Sequence, residues 1–204
     1  MVYLFIDTSD IDVSIGIIKD NKILSYKSES VPNKHSIYTT SYLKEVLDNA
    51  KIDTNEVDKI LVVNGPGSFT GVRIGVTIAK VYAYLTKCEI VSVSSLKILA
   101  LSSSNSDYYM ALLDAKHDNY YIGIYDKNYN DIIEKFCNKD EVIKYIDKYN
   151  PVLISNKDIK IDNNVVKKID LDLISIINYY KDMKSENAHL VNPNYLKLPQ
   201  VMEK

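Results

Sequence analysis

The stretch from Asn64 to Gly75, which reads NGPGSFTGVRIG, constrains the fold of this chain more than any other. It contains four of the six glycines of the chain, and it contains Arg73, the only arginine among 25 basic residues. The apolar run Lys59–Val63 in front of it is typical of a buried strand, and the apolar spacing behind it is helical to about Leu85. This order of strand, glycine turn and helix is how α/β proteins place ligands and partners at strand carboxyl ends. The stretch is therefore a candidate for holding either a phosphate group or another protein.

Composition limits the classes of protein to which the chain can belong. Of its 204 residues, 46% are hydrophobic and 25% are charged, so the chain can bury a core. A net charge of -2 argues against nucleic acid as a ligand of this chain alone, because phosphate binding needs a basic face. Cys88 and Cys137 fit neither a metal spacing nor a disulfide framework, which predicts free thiols in a reducing cytoplasm. The run Val2–Ile6 lacks the basic flank of a signal peptide, and no stretch approaches the length of a membrane span.

Apolar runs and turns predict the same order of elements in both halves of the chain. Three short runs between Val2 and Tyr26 predict an antiparallel meander, and helical spacing follows from Ile37 to Ala50. The order β-β-β-α-β appears again after the small polar segment Ser102–Asp107, without visible sequence identity. Such a duplicated order is the layout of the actin, Hsp70 and sugar-kinase superfamily, which is ribonuclease H-like. The prediction is an α/β fold with two domains of this type, residues 1–104 and 105–204.

The turn Asp7-Thr8-Ser9 follows the first predicted strand. ATPases of that superfamily bring this turn close to a nucleotide phosphate, and its acid helps to hold the metal. The same residues are also ordinary turn formers that hydrogen-bond their own backbone, and this structural interpretation is the commoner one. An active ATPase further needs glycine-rich loops in its second half, where Gly123 is the last glycine. We therefore interpret Asp7, Thr8 and Ser9 as a vestigial phosphate loop, and a small active ATPase or kinase using Asp7 is the alternative.

The helix behind the glycine turn has a stripe of small residues. They recur every four positions: Gly71, Gly75, Ala79 and Ala83. Glycine inside a helix costs about 1 kcal/mol relative to alanine, so two glycines on one face indicate close approach by another backbone. That neighbour is either a second protein or another part of the same domain, and the spacing does not distinguish them. Ser68 is a plausible N-cap, and the free amides behind it suit an anion, although the glycine spacing matches neither a Walker loop nor a dinucleotide fingerprint.

The string GPGSFTGVRIG, with Asp7-Thr8-Ser9 upstream, closely resembles the bacterial TsaB family, formerly called YeaZ. Further matches are Asp114-Ala115-Lys116 before a tyrosine-rich strand and Pro193–Lys197 near the C-terminus, so the resemblance spans nearly the whole chain. TsaB is the dimerisation subunit of tRNA threonylcarbamoyladenosine biosynthesis. It is similar to TsaD, the transferase that modifies an adenosine beside the anticodon and holds a metal with an HxxxH pair. The corresponding positions here are Ser95 and Leu99, neither of which binds a metal as an imidazole does.

The resemblance implies a non-catalytic cytoplasmic subunit without a cofactor or metal of its own. It implies that the chain pairs with TsaD through helices of the N-terminal domain, that the ATPase TsaE joins the assembly, and that tRNA is reached only through the complex. The resemblance also implies self-association through the same face when TsaD is absent. A third hypothesis for the function is a metalloprotease, which is an old label for the wider family. The residues expected at the partner interface follow the glycine turn: Ser68, Phe69, Thr70, Gly71, Arg73, Ile74, Gly75, Ile78 and Tyr82.

Overall fold

The computed structural model describes residues 1–197, and within them it contains two five-stranded sheets and five α-helices. The strands of the first sheet are β1 (Val2–Asp7), β2 (Asp12–Lys19), β3 (Lys22–Ser30), β4 (Lys59–Gly65) and β5 (Glu89–Ser94). Those of the second are β6 (Tyr108–Asp114), β7 (Asn119–Asp126), β8 (Asp131–Asn138), β9 (Val152–Ser155) and β10 (Lys167–Lys168). The helices are α1 (His35–Ala50), α2 (Phe69–Thr86), α3 (Ser95–Leu101), α4 (Lys139–Tyr149) and α5 (Leu173–Tyr180).

Both sheets have the same topology. The first has the order β3-β2-β1-β4-β5, in which β1 pairs antiparallel with β2 and parallel with β4. The second repeats this order as β8-β7-β6-β9-β10, with β6 antiparallel to β7 and parallel to β9. The predicted α/β fold with duplicated β-β-β-α-β halves, of the actin, Hsp70 and sugar-kinase type, is confirmed.

The core of the first sheet lies between its central strands and two helices. β1 and β4 are apolar on both faces, as expected of strands that pair in parallel. On one face, Val62 of β4 belongs to the same buried cluster as Val46 of α1 and Val76 of α2. Successive side chains of a strand point to opposite faces of the sheet. Gly16 of β2 lies on the face opposite this cluster, where a Cβ atom added to it would lie 3.1 Å from Cδ1 of Leu173 in α5. Helices therefore cover both faces of this sheet.

The chain forms two compact units, and the first is completed by a late segment. It consists of Met1–Ser95 and Leu173–Asn194, and the second consists of Leu96–Asp172 with the described residues from Tyr195 onward. The predicted halves do not coincide with these units, because α5 and the residues after it pack on the first sheet. As separately folding domains, residues 1–104 and 105–204 stay a prediction, and residues 198–204 lie outside the described part of the chain.

Residues 183–194, which we call the C-terminal strap, close the edge of the first sheet at β5. The amide of Glu186 donates to the carbonyl oxygen of Ile90 at 2.8 Å. The carboxylate of Glu186 accepts the amide of Ser92 at 2.6 Å and its hydroxyl at 2.8 Å. Further along the strap, Val191 is buried in the cluster between the sheet and the helices. The strap thus satisfies backbone groups that an edge strand would otherwise leave open to pairing with another chain.

Candidate functional site

The glycine turn places the start of α2 at the carboxyl end of β4. Gly65 has φ of +112°, a conformation in which a side chain is strained. The hydroxyl of Ser68 accepts the amide of Gly71 at 3.2 Å, which confirms Ser68 as the N-cap of α2. The helix ends at Thr86 and is capped by Lys87, a left-handed residue whose amide donates to the carbonyl oxygen of Ala83 at 2.9 Å. Both ends of α2 are therefore defined by local hydrogen bonds.

The close neighbour of the small stripe is the turn between β1 and β2 in the same chain. A Cβ atom added at Gly71 would lie 2.1 Å from the carbonyl oxygen of Thr8, and one added at Gly75 would lie 2.3 Å from Oγ1 of Thr8. One added at Gly67 would lie 2.1 Å from the carbonyl oxygen of Ser9. All three distances are far below van der Waals contact, so only glycine fits at these positions. Of the two neighbours left open by the spacing, the structure shows the one inside the domain.

Hydrogen bonds join this turn to the glycine turn. The hydroxyl of Thr8 donates to the carbonyl oxygen of Gly71 at 2.7 Å, and the amide of Ser68 donates to the carbonyl oxygen of Ser9 at 2.6 Å. Within the turn, the carboxylate of Asp7 accepts the amide of Ser9 at 2.8 Å. Thr8 and Ser9 are both buried. The hydroxyl of Thr8 and the amide of Ser68 are therefore engaged with other parts of the same chain.

Asp7 lies at the end of β1 and is half-buried. Its burial raises the pKa of Asp7 above the ordinary value, and the charges of Asp10 and Asp12 act in the same direction, whereas hydrogen bonds from Ser9 oppose the change. A raised pKa means that the folded state holds this proton more tightly than the unfolded chain does. The contribution of Asp7 to stability is therefore fully present below its unfolded pKa of about 3.9 and is lost as the pH rises through the folded pKa.

We expect Asp7→Asn to raise the Tm by a few degrees at pH 7, because the amide keeps an oxygen for the N–H of Ser9 and removes a desolvated charge. At pH 4 the gain should be smaller, since part of the wild-type carboxylate is protonated there. Thermal unfolding followed by circular dichroism at both pH values measures the effect. Asp158→Asn is the control, because that carboxylate is 88% exposed in a surface pair with Lys168 and should matter little. A lower Tm for Asp7→Asn at pH 7 would contradict the burial argument.

The predicted interface residues divide into a surface group and a buried group. Those at or near the surface of the described chain are Ser68, Phe69, Thr70, Arg73, Ile74 and Ile78. Gly71, Gly75 and Tyr82 are buried, and the hydroxyl of Tyr82 donates to the carbonyl oxygen of Thr54 at 2.8 Å. These three residues hold α2 on its own domain. Little of their surface is therefore available to a partner in the chain alone.

Exposed apolar residues on the second half of α2 were missed by the sequence reasoning. Val81 is 53% exposed, Tyr84 is 55% exposed and Leu85 is 70% exposed. Val81 and Leu85 continue the helical spacing of Ile74 and Ile78, and this spacing was the signal that could have found them. We call the surface formed by Ile74, Ile78, Val81 and Leu85 the α2 face. Ile74 and Ile78 are half-buried, so the exposed apolar surface of this face is concentrated at Val81 and Leu85. Exposed apolar patches are typical of sites of interaction.

The first turn of α2 carries an ordered pair of side chains beside the α2 face. The guanidinium carbon of Arg73 lies 3.7 Å from the centre of the Phe69 ring, one helical turn away. This is a cation–π contact between the only arginine of the chain and one of its three phenylalanines. Arginine and aromatic residues are frequent among the residues that dominate binding energy at interfaces.

The C-terminal strap fastens the second half of α2. The ammonium group of Lys80 donates to the carbonyl oxygen of Val191 at 2.9 Å and to that of His189 at 3.1 Å. The ring of His189 meets Tyr84 edge-on, with 5.5 Å between ring centres. Sequence reasoning missed this role of Lys80, because a helical lysine ordinarily reads as a solvated residue and backbone acceptors leave no sequence signal.

Ser95 and Leu99, the positions that the resemblance matched to the HxxxH pair, are part of the packed interior here. Ser95 is buried and its hydroxyl donates to the carbonyl oxygen of Pro66 at 2.5 Å, and Leu99 is buried in an apolar cluster. Among residues 1–197, no group of three or more His, Cys, Asp or Glu side chains is placed to hold a metal ion.

Burial raises the pKa of the Cys137 thiol to about 11. Within residues 1–197, no helix combines the length and apolarity that crossing a membrane requires.

Comparison with known proteins agrees with this geometry. A model of the family described as TsaD, tRNA N6-adenosine threonylcarbamoyltransferase, matches residues 22–173. The chain is 28% identical to the tRNA threonylcarbamoyladenosine biosynthesis protein TsaB of Bacillus subtilis (strain 168), over 83% of this chain and 76% of that protein. It is 27% identical to the protein of the same name in Escherichia coli (strain K12), over 65% of this chain and 58% of that protein.

Solved structures show the same fold at lower identity. A Pseudomonas aeruginosa protein described as similar to peptidase YEAZ superposes with a TM-score of 0.81 at 23% identity, covering 96% of this chain and 99% of its own. YeaZ from Pseudomonas aeruginosa superposes with a TM-score of 0.75 at 22% identity, covering 96% and 100%. The resemblance carried by the glycine turn is thereby confirmed. The chain belongs to the TsaB (YeaZ) family, within the wider family that the TsaD transferase model describes.

Proposed function

We propose that this chain is a non-catalytic subunit that binds a TsaD-type transferase and supports formation of N6-threonylcarbamoyladenosine in tRNA, beside the anticodon. The observation that carries the proposal is the exposed apolar α2 face, on a unit whose β1–β2 turn is filled by contacts within its own chain. The curated relatives are named as proteins of tRNA threonylcarbamoyladenosine biosynthesis, which supports the same pathway for this chain.

Two features support a role without chemistry. At the metal positions of TsaD this chain has Ser95 and Leu99, and both are buried in its packed interior. The amide of Ser68 at the start of α2, where an anion would bind, is already used by the carbonyl oxygen of Ser9. An ATPase using Asp7 would have to break this contact in order to admit a phosphate group.

The chemistry of α2 supports a protein partner. The α2 face offers aliphatic side chains in a row, and the Phe69–Arg73 pair lies at one end of the helix. We propose that the partner contacts these residues: Ser68, Phe69, Thr70, Arg73, Ile74, Ile78, Val81 and Leu85. An apolar centre with a polar rim is the usual anatomy of a specific protein interface. In the same proposal Gly71, Gly75 and Tyr82 support the face from below.

The wider assembly follows from the same surface. We propose that TsaE joins the complex of this chain with TsaD, and that tRNA meets this chain only through that complex, because its net charge of -2 provides no general attraction for phosphate. The α2 face is also suited to a second copy of the chain when TsaD is absent. The homodimer and the TsaD complex would then compete for one surface.

Purified chain mixed with the TsaD of the same organism is expected to elute as a 1:1 complex on gel filtration with light scattering. Excess TsaD should dissociate any homodimer, since both use the α2 face. Separate elution of the two proteins at micromolar concentration would refute the proposed function. The TsaB-type chain alone, at matched concentration, provides the reference for self-association.

Calorimetry with ATP and magnesium distinguishes the alternative of an active ATPase. We expect no binding heat at micromolar protein, because the β1–β2 turn and the glycine turn satisfy each other. Tight binding that disappears in Asp7→Ala would overturn the non-catalytic proposal in favour of the ATPase or kinase.

A further inference from the structure

We propose that Thr8 is a positioning residue for partner binding: its contacts with Gly71 and Gly75 fix the first two turns of α2 in the orientation that docking requires. On this view the Asp7–Ser9 turn is retained as the support of an interaction helix. The inference rests on the proposed function, since it assigns a reason for the turn within the same interface.

The first two turns of α2 need support from outside the helix. They contain glycine at positions 71 and 75, where the backbone is less restricted and less stable as a helix than with alanine. The first turn has no acidic residue to complement the positive end of the helix dipole. Ser68 satisfies one amide of this end as the N-cap. The remaining restraint has to come from tertiary contacts.

Thr8 supplies that restraint to both glycines. Its side chain is completely buried, its hydroxyl donates to the carbonyl oxygen of Gly71 at 2.7 Å, and the same oxygen occupies the space beside Gly75. The carbonyl oxygen of Thr8 lies against Gly71 from the same side. Thr8 follows β1, a central strand that is paired on both sides, so its contacts connect the helix to the middle of the sheet.

The residues fixed in this way face solvent and belong to the proposed contact surface. Arg73 lies between the two glycines in sequence, and its guanidinium stacks on Phe69 one turn earlier. Side chains held in their bound orientation before binding lose less conformational freedom when the complex forms. Removing the Thr8 hydroxyl should therefore weaken binding more than its effect on global stability would suggest.

A matched residue separates positioning from simple stabilisation. Thr39 in α1 is also completely buried, and its hydroxyl donates to the carbonyl oxygen of His35 at 2.6 Å. Thr39→Val and Thr8→Val each remove one buried hydroxyl that bonds a helical carbonyl, and each keeps the shape of the side chain. The Thr39 bond is made within its own helix, so it does not connect the sheet to α2.

The test measures three quantities for wild type, Thr8→Val, Thr8→Ser and Thr39→Val. They are the Kd for TsaD by calorimetry, the Tm, and amide hydrogen exchange along α2 in the free protein. We expect Thr8→Val to raise the Kd by about tenfold and to speed exchange at residues 71–78, as the loss of one buried hydrogen bond allows. Thr8→Ser keeps the hydroxyl and should bind TsaD as wild type does. Thr39→Val should lower the Tm about as much as Thr8→Val, but it should change neither the Kd nor the exchange at residues 71–78.

The outcomes distinguish the inference from the proposed function. If wild type fails to bind TsaD, the proposed function is refuted. If wild type binds and Thr8→Val shows unchanged affinity and exchange, only the inference is overturned. Equal loss of affinity in Thr39→Val and Thr8→Val would also overturn it, by showing a general effect of stability. Should Thr8→Val not fold, Thr8→Ala takes its place, and affinity equal to that of Thr8→Ser would overturn the inference.

Discussion

Val81→Asp is expected to abolish measurable binding to TsaD, with a Kd raised at least about a hundredfold, while the chain stays folded. Val81 lies inside the row of the α2 face and is 53% exposed, so the carboxylate is solvated in the free chain. In the complex the same carboxylate would be buried among aliphatic side chains, where a charge without a partner is strongly disfavoured. Titration calorimetry measures the Kd, and circular dichroism measures the Tm.

Val165→Asp is the matched control for this experiment. Val165 is 82% exposed, belongs to the second unit and is not among the residues proposed to contact the partner. The same change of side chain at this site should leave the Kd within about twofold of wild type, because exposed substitutions away from an interface are near neutral. Wild-type affinity in Val81→Asp, or loss of affinity in Val165→Asp, would show that the α2 face is not the docking surface.

Gly71→Ala is expected to destabilise the fold by about 3 kcal/mol, which corresponds to roughly 6–12 °C in Tm for a chain of this size. The added Cβ would lie 2.1 Å from the backbone oxygen of Thr8, and neither the helix nor the β1–β2 turn can move aside without losing hydrogen bonds. Alanine is otherwise the better helix former, so the sign of the change tests the close contact itself. Thermal unfolding measures the effect.

Gly16→Ala is the control for steric crowding without backbone contact. Its added Cβ would meet side-chain carbons and no backbone atom: Cδ1 of Leu173 at 3.1 Å, Cδ2 of Tyr26 at 3.2 Å and Cδ1 of Ile18 at 3.5 Å. We expect a loss of less than about 1 kcal/mol. A Tm for Gly71→Ala at or above that of wild type would contradict the described packing. A bulky residue at Gly75 meets Thr8 as well, so loss of partner binding in such a variant would not locate the interface.

The repeated topology was predictable because it is written in short-range patterns. Apolar runs bounded by turn residues give strands, and the N-caps at Ser68 and Asn138 were visible as residue types next to helical spacing. The strand β10 and the return of α5 to the first sheet were not predictable. β10 is only the dipeptide Lys167–Lys168. α5 is held by a tertiary contact with the sheet, and no local sequence pattern predicts such a contact.

At the candidate site, too, the sequence pattern indicated that a contact exists but not which residue makes it. Glycine at positions 71 and 75 correctly indicated a close neighbour, but only the structure identified it as Thr8, whose backbone approaches Gly71 and whose side chain approaches Gly75. Conversely, Tyr82 was predicted to lie at the interface and is buried, whereas Leu85, which the spacing placed only at the end of the helix, is 70% exposed. The type of an apolar residue does not show whether it lies on the buried or the exposed face of a helix. The two faces are distinguished only once the position of the sheet is known.

The strap has a consequence for the order in which the chain is made. During synthesis the ribosome releases β5 long before Glu186 and Val191, which later cover its edge and fill the cluster beneath α2. The unit that begins to emerge first therefore stays incomplete until its late segment Leu173–Asn194 has been made, and its edge stays open to pairing during that interval. The length of that interval is the time needed to translate residues 96–172, which belong to the second unit. The first unit can complete its fold only after this time.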